Sequence, residues 1–193
     1  MVKALDNYEK KKTVILEKAS ELFFLGGYSG TSMDQISAAA GVTKQTVYRY
    51  FPSKSALFSA VLDSMSPEGR SYIFGNGNLL SELTAFAQHF VTIHMEKRRL
   101  DFHRLLISES ARGSEVSGIF KRIAEERAKP LKDFFRAKLS SPDPGKDAEI
   151  FIATLLSIRH NVILGLCPAP SADEIKKHAE YCAELLLSAR KPI

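Results

Sequence analysis

Twelve consecutive residues, Thr43 to Lys54, carry Lys44, Arg49 and Lys54 and no acidic residue, with Tyr48 and Tyr50 set between the cations. Ammonium, guanidinium and phenol groups crowded on one short segment can hold phosphate oxygens by charge and hydrogen bonding. Thr43 and Gln45 on the same stretch add groups able to read base edges. Other chemistry is poorly served. No GxxxxGK[ST], GxSxG or GxGxxG occurs, no two histidines stand at the i, i+4 spacing of a metal site, and the five histidines are scattered. A catalytic site, a metal site and a cofactor are therefore not expected, and Gly75-Asn76-Gly77 reads as a flexible link. Cys167 and Cys182 are too few and too isolated for a disulfide framework, which suits a reduced, cytoplasmic protein.

Charge alone decides little. The formal net charge is +5, and residues 65–140, with 13 Lys/Arg against 9 Asp/Glu, hold more of the excess than residues 1–64, with 8 against 6. No apolar run of about 18 residues is present, so no membrane span is expected.

These side chains need a frame, and the apolar spacing supplies a helical one almost throughout. The fold class is all-α, with about nine helices. A first helix is expected over Tyr8–Leu25, with Ile15, Ala19, Leu22 and Phe23 on one stripe and Gly26-Gly27 as its stop. Thr31 or Ser32 can cap a second, Met33–Ala40, before a turn at Gly41; a third covers Thr43–Tyr50, and a fourth runs from Ser53 or Lys54 to Met65. Beyond a Gly- and Pro-containing boundary at 66–78, further helices are expected over Leu79–Glu96, Arg98–Arg112, Ser114–Leu139, Lys146–Leu166 and Ser171–Ala189. Pro130 should kink or split the third of these. Residues 1–65 then form a small three-helix helix-turn-helix domain and 66–193 a larger helical one, with the fourth helix as the only continuous element joining them.

Within the small domain Ile36, Ala40, Val42, Val47 and Tyr50 fall where two short helices face each other and the first helix, and Ser37 is small at their closest approach. Thr43, Lys44, Gln45, Tyr48 and Arg49 are left facing outward, a set suited to a helix laid against a nucleic acid. Residues 22–62 carry a Gly-Tyr-x-Gly-Thr entry, Ile-x-x-x-Ala-Gly-Val, Thr-Val-Tyr-x-Tyr-Phe and a Ser-Lys at the head of the fourth helix. This segment closely resembles the N-terminal region of the tetracycline-repressor (TetR) family; Ser37 and Ser55 depart mildly from its usual pattern. Further on, Phe102–Ser110 looks like the sixth helix of one subset of these regulators.

The resemblance implies an all-α homodimer that binds a double-stranded, pseudo-palindromic DNA operator and represses transcription until a small molecule releases it. Carried over, phosphate contacts fall on Thr31, Tyr48, Tyr50 and Lys54, and base contacts on Thr43, Lys44, Gln45 and Arg49. Tyr50 can equally be a core residue, and Thr31 only a cap. In the larger domain Phe86, Phe90, His94, Phe102, Phe120 and Phe134 are candidates to line a site for an apolar or aromatic effector, although rings at helical spacing also serve as packing. His94 shares a helix face with Leu83, Ala87 and Phe90, and so points inward. An activator or structural DNA binder, or less readily an enzyme or carrier, is the alternative function.

Overall fold

The computed structural model describes residues 2–64, 72–111 and 115–190, with backbone alone for residues 2–6. Among them are ten α-helices and no strand: α1 (Val2–Gly30), α2 (Met33–Ala39), α3 (Lys44–Tyr50), α4 (Lys54–Ser64), α5 (Leu79–Met95), α6 (Lys97–Ser110), α7 (Val116–Lys138), α8 (Pro144–Leu155), α9 (Ser157–Ile163) and α10 (Ala172–Ala189). Two compact units result. One comprises Met1–Pro67 with Phe102–Lys121, the other Glu68–Asp101 with Arg122–Ile193. Helices α6 and α7 each contribute to both, whereas α4, expected to join the domains, lies wholly within the first unit. The expected domain boundary at 65/66 lies outside the described residues.

In the first unit, helix α1 is kinked where glycine permits it. Gly27 has φ 77°, a conformation a Cβ would oppose. Backbone carbonyls around such a break lack helical partners, and two side chains meet some of them. The Thr31 hydroxyl lies 3.1 Å from the Leu22 carbonyl and 2.8 Å from that of Gly27. Lys54 Nζ, from the start of α4, donates to the carbonyls of Tyr28 (2.9 Å) and Thr31 (3.1 Å). Ser32, rather than Thr31, caps α2. Its hydroxyl accepts the Gln35 N–H while the Gln35 side chain accepts the Ser32 N–H, a reciprocal box whose loss costs about 1 kcal/mol. Ile15, Phe23, Ile36, Val47, Leu57 and Phe58 are fully buried, or nearly so, beneath these ends. Phe58 meets Phe23 edge-on at 5.0 Å and Tyr28 at 4.9 Å.

In the second unit, α5 and α10 pack along their lengths and α8 packs against both. Leu83, Ala87, Val91, Phe135, Leu155 and Ala179 form the driest part of the core. Three expectations need correction. The helix expected over Lys146–Leu166 is two, because Leu156 (φ −86°, ψ 1°) leaves helical geometry between α8 and α9; neither proline nor glycine marks the break. It also begins earlier, at Pro144, whose missing N–H is harmless in a first turn and which Asp143 precedes as cap. Conversely, Pro130 does not split α7, which continues through it. Gly75-Asn76-Gly77 is not a loose link either. The Gly75 and Gly77 N–H groups both donate to the Glu82 carboxylate, at 2.6 and 3.1 Å.

The far end of the chain is tied down by charge. Arg190 donates twice to Asp147, at 2.9 Å each, and Ser141 donates to the same carboxylate. These contacts hold the Asp147 carboxyl below its usual range, against the opposing effect of burial. No helix among the described residues is long and apolar enough to cross a membrane.

Candidate functional site

Helix α3 is only seven residues long, far too short to persist alone, so its form depends on caps and packing. Thr43 supplies the cap, its hydroxyl accepting the Thr46 N–H at 3.2 Å. Gly41, at φ 64°, turns the chain from α2, and the Val42 N–H reaches back to the Ser37 carbonyl at 3.0 Å. Val47 is wholly buried, and this fixes the rotation of α3 about its axis. With Val47 inward, Lys44, Gln45, Tyr48 and Arg49 stand exposed, and α3 carries no acid.

Among the described residues, the carboxylate bonded to this face comes from α2. Asp34 holds Lys44 Nζ at 2.8 Å, with both side chains more than half exposed. Such an exposed pair is weak in water, so a phosphate can take the ammonium from it. Arg49 lies 5.4 Å from the Tyr50 ring centroid, and that ring packs on Tyr8 of α1 at 4.5 Å. Tyr50 is therefore half-buried, and Tyr48 is the tyrosine that faces solvent.

Besides Tyr50, packed on Tyr8, the other seven of the eight residues singled out from sequence separate into two groups. Thr43, Lys44, Gln45, Tyr48 and Arg49 share one outward surface. Thr31 and Lys54 sit instead in the knot that closes α1 and opens α4: Thr31 is 4% exposed, two carbonyls already take N–H groups from Lys54, and its ammonium lies 4.3 Å from the Tyr28 ring centroid. Sequence reading missed the acidic partners of that knot. Glu109 of α6 accepts from Ser29, and Glu115 pairs with the Tyr28 hydroxyl. Nothing in the spacing couples positions some 80 residues apart.

The candidate effector residues also divide. Phe102 and Phe120 belong to the first unit, near Phe58 and His103. Phe86, Phe90, His94 and Phe134 belong to the second. There Phe86 and Phe90 stack at 5.5 Å, Phe90 and His94 lie ring to ring at 4.1 Å, and Phe74 covers Phe134 at 3.9 Å. His94 Nδ1 is 2.7 Å from the Phe90 carbonyl. A carbonyl only accepts, so the proton sits on Nδ1. Burial, reinforced by Arg99, Arg159 and Arg127, pushes the ring's pKa down to about 3, so it is neutral at ordinary pH.

Cys182 is buried and lies 3.6 Å from His178 Nε2; burial raises its thiol to about 11, which keeps it protonated and unreactive. Among the described residues no group of His, Cys, Asp and Glu could hold a metal ion.

Comparison with known proteins agrees with this geometry. Residues 15–61 match the model of "Bacterial regulatory proteins, tetR family", and residues 81–190 that of "AefR-like transcriptional repressor, C-terminal domain". The chain is 29% identical over 143 residues to the HTH-type transcriptional regulator RutR of Escherichia coli K12, covering 69% of this chain and 66% of that protein, just under two thirds of its length. It is 24% identical over 197 residues to the HTH-type transcriptional repressor KstR of Rhodococcus jostii RHA1, covering 95% and 87%. Among solved structures, the flavonoid-responsive regulator FrrA superposes with a TM-score of 0.80 at 26% identity, over 94% of this chain and 97% of that one. A tetR-family regulator from Mesorhizobium loti MAFF303099 has the same fold, with a TM-score of 0.71 at 24% identity over 95% and 98%.

Proposed function

The chain belongs to the tetR family of bacterial regulatory proteins, and on that footing we propose that it is a cytoplasmic, homodimeric repressor without enzymatic activity, released from a pseudo-palindromic operator by a small molecule. Residues 1–65 bind DNA, and 66–193 sense the effector and dimerise. The observation that carries this reading is the face of α3, which offers two cations, an amide and a phenol, with buried Val47 fixing their direction. Thr43, Lys44, Gln45 and Arg49 contact bases or adjacent phosphates, and Tyr48 a phosphate. Thr31, Tyr50 and Lys54 act chiefly by holding α1, α2 and α4 in register, since their polar atoms or rings are engaged within the protein.

Dimerisation uses α8, α9 and α10. Ile150, Leu164, Leu166, Tyr181 and Leu185 are each 47–71% exposed, a large apolar allotment for one end of a chain. Tyr181 and Leu185 lie one turn apart on α10, so they present one stripe. Two linked α3 helices then meet half-sites about 34 Å apart. The effector site lies in the second unit, among Phe86, Phe90, His94 and Phe134. The names of its relatives support such a role: KstR is a repressor, and FrrA is flavonoid-responsive.

The test is selection of binding sites from a random duplex pool, followed by anisotropy titration of the winners. A two-fold-related consensus that Gln45→Ala relaxes is expected. Binding without sequence preference would instead indicate a structural DNA binder.

A further inference from the structure

In the second unit a non-helical strip, residues 72–78, lies against α5 and α7 and places two rings on them. Phe74 meets Phe134 of α7 almost face to face, with ring centroids 3.9 Å apart and planes 14° from parallel. It also stacks on Phe86 of α5 at 5.3 Å, and Tyr72 meets Phe86 edge-on at 5.2 Å. Phe86 and Phe134 are buried, and the strip's rings supply part of their cover. Both are backed by further aromatics: Phe86 stacks on Phe151, and Phe134 adjoins Phe135.

Beyond Phe74 the strip is fastened at the surface. The Gly75 and Gly77 N–H groups donate to the two oxygens of Glu82 in the first turn of α5. Both glycines are exposed, so these donors and their acceptor can exchange one another for water at small net cost. A Cβ at either glycine would stand 2.7 Å from Glu82 Oε1. The carboxylate therefore reaches both N–H groups because residues 75 and 77 lack one. Neither has a positive φ, so the requirement is for space and not for backbone conformation. The strip thus combines a closely matched ring contact with an attachment that water can replace.

Given that the second unit holds an effector, we propose that Phe74 occupies that effector's place: the ligand is a flat, uncharged aromatic molecule that displaces the Phe74 ring from Phe134 and Phe86 and frees Gly75 and Gly77 from Glu82. The two ring faces that now hold Phe74 then hold the ligand. Such faces favour an offset flat partner, and a charged one would lose its water against them at high cost. The latch also sets the affinity. A ligand binds the fraction of molecules whose Phe74 ring is out, and its apparent affinity is reduced by that fraction.

The test uses the full-length protein and calorimetric titration with 2-naphthol as the flat probe and decahydro-2-naphthol as its thicker, saturated analogue. The flat probe should bind about tenfold or more tighter. Phe74→Ala removes the occupying ring, whereas the double variant Gly75→Ala/Gly77→Ala pushes the Glu82 carboxylate aside and keeps the ring. With the displaced state at about 0.1–10% of the wild type, Phe74→Ala should tighten 2-naphthol binding about tenfold or more, and the glycine variant should tighten it too. Saturating 2-naphthol should speed amide exchange at Gly75 and Gly77 in the isotope-labelled wild type, because both donors lose their acceptor. Phe74→Ala with unchanged or weaker 2-naphthol affinity would overturn the proposal, as would exchange at the two glycines that is unchanged or slowed at saturation. Equal binding of the saturated analogue, or no 2-naphthol binding to any folded form up to about 1 mM, would overturn it as well. Should Phe74→Ala unfold, the glycine variant and the wild-type exchange decide. An operator titration separates this inference from the function it rests on. Displacement of Phe74 that leaves operator affinity unchanged at saturation contradicts effector-relieved repression and spares the displacement. Operator release with glycine exchange unchanged does the reverse.

Discussion

Ser29 donates both its backbone N–H and its hydroxyl to one carboxylate oxygen of Glu109, at 3.2 and 2.5 Å, and Glu109 is wholly buried. The end of α6 is thereby fastened to the last turn of α1. Beside it the Tyr28 hydroxyl bonds Glu115, and burial followed by that bond raises the phenol well above its ordinary range, so it remains a donor. Glu109→Ala should cost about 1–3 kcal/mol, because two donors lose a buried acceptor. In a chain of this size that is about 2–4 °C of Tm per kcal/mol, measured by calorimetry. Glu109→Gln should cost less, since an amide oxygen still accepts. An unchanged Tm for Glu109→Ala would show that the bond carries no stability.

His94 predicts an acid dependence with a definite sign. Its native pKa is depressed to about 3, whereas the unfolded ring titrates near 6.5. Between those values the unfolded chain takes up a proton that the native protein refuses. Stability therefore falls as pH drops through this window, with a slope reaching about 1.4 kcal/mol per pH unit. Urea midpoints measured from pH 8 to 4 should show this slope for the wild type and a flatter one for His94→Gln. A His94 ring signal titrating near 6.5 by NMR would contradict it.

The division of the DNA-facing residues predicts two kinds of variant. Lys44→Ala should weaken binding across sequences and lower the salt slope by about 1 per half-site, and Gln45→Ala should relax base preference at about 1–3 kcal/mol, both with unchanged Tm. Thr31→Val and Lys54→Met should lower Tm before they alter DNA affinity, because they uncap α1. Parallel calorimetry and anisotropy titrations separate the two. Equal Tm losses in both groups would contradict the division.

For assembly, the informative side chains are Tyr181 and Leu185. Leu186 and Leu187 pack against the core of their own unit, so charges placed there would disturb the fold itself. The double variant Tyr181→Glu/Leu185→Glu should sediment as a helical monomer and lose operator binding. A dimer that survives both changes places the interface elsewhere.

How far the sequence could be read depended on whether a feature was local. Caps and apolar stripes act within a few residues, so α2 to α7 and α10 fall close to where periodicity puts them, whereas α1, expected over Tyr8–Leu25, runs from Val2 to Gly30. Val47 and the four outward residues of α3 follow from one helix period. The break at Leu156 has no residue signal, and it was missed. Thr31 and Lys54 looked like phosphate ligands because their types and positions suit that role; their carbonyl partners lie 4 to 26 residues away along the chain. The arginines whose charges act on His94 come from three helices, and the excess of basic residues in 65–140 includes Arg99 and Arg127 but not Arg159. Grouping Phe102 and Phe120 with Phe86 and Phe90 followed composition, and the two pairs belong to different units.

The central claim is sequence-selective operator binding by a dimer, and the most direct measurement is a footprint of the purified protein on the DNA adjoining its own gene. The account predicts protection of two half-sites related by two-fold symmetry, their centres about 10 base pairs or a small multiple of that apart, with protection lost when Gln45 and Tyr48 are replaced together by Ala and Phe. Uniform coverage with no bounded site, or a bounded site indifferent to those replacements, would contradict it.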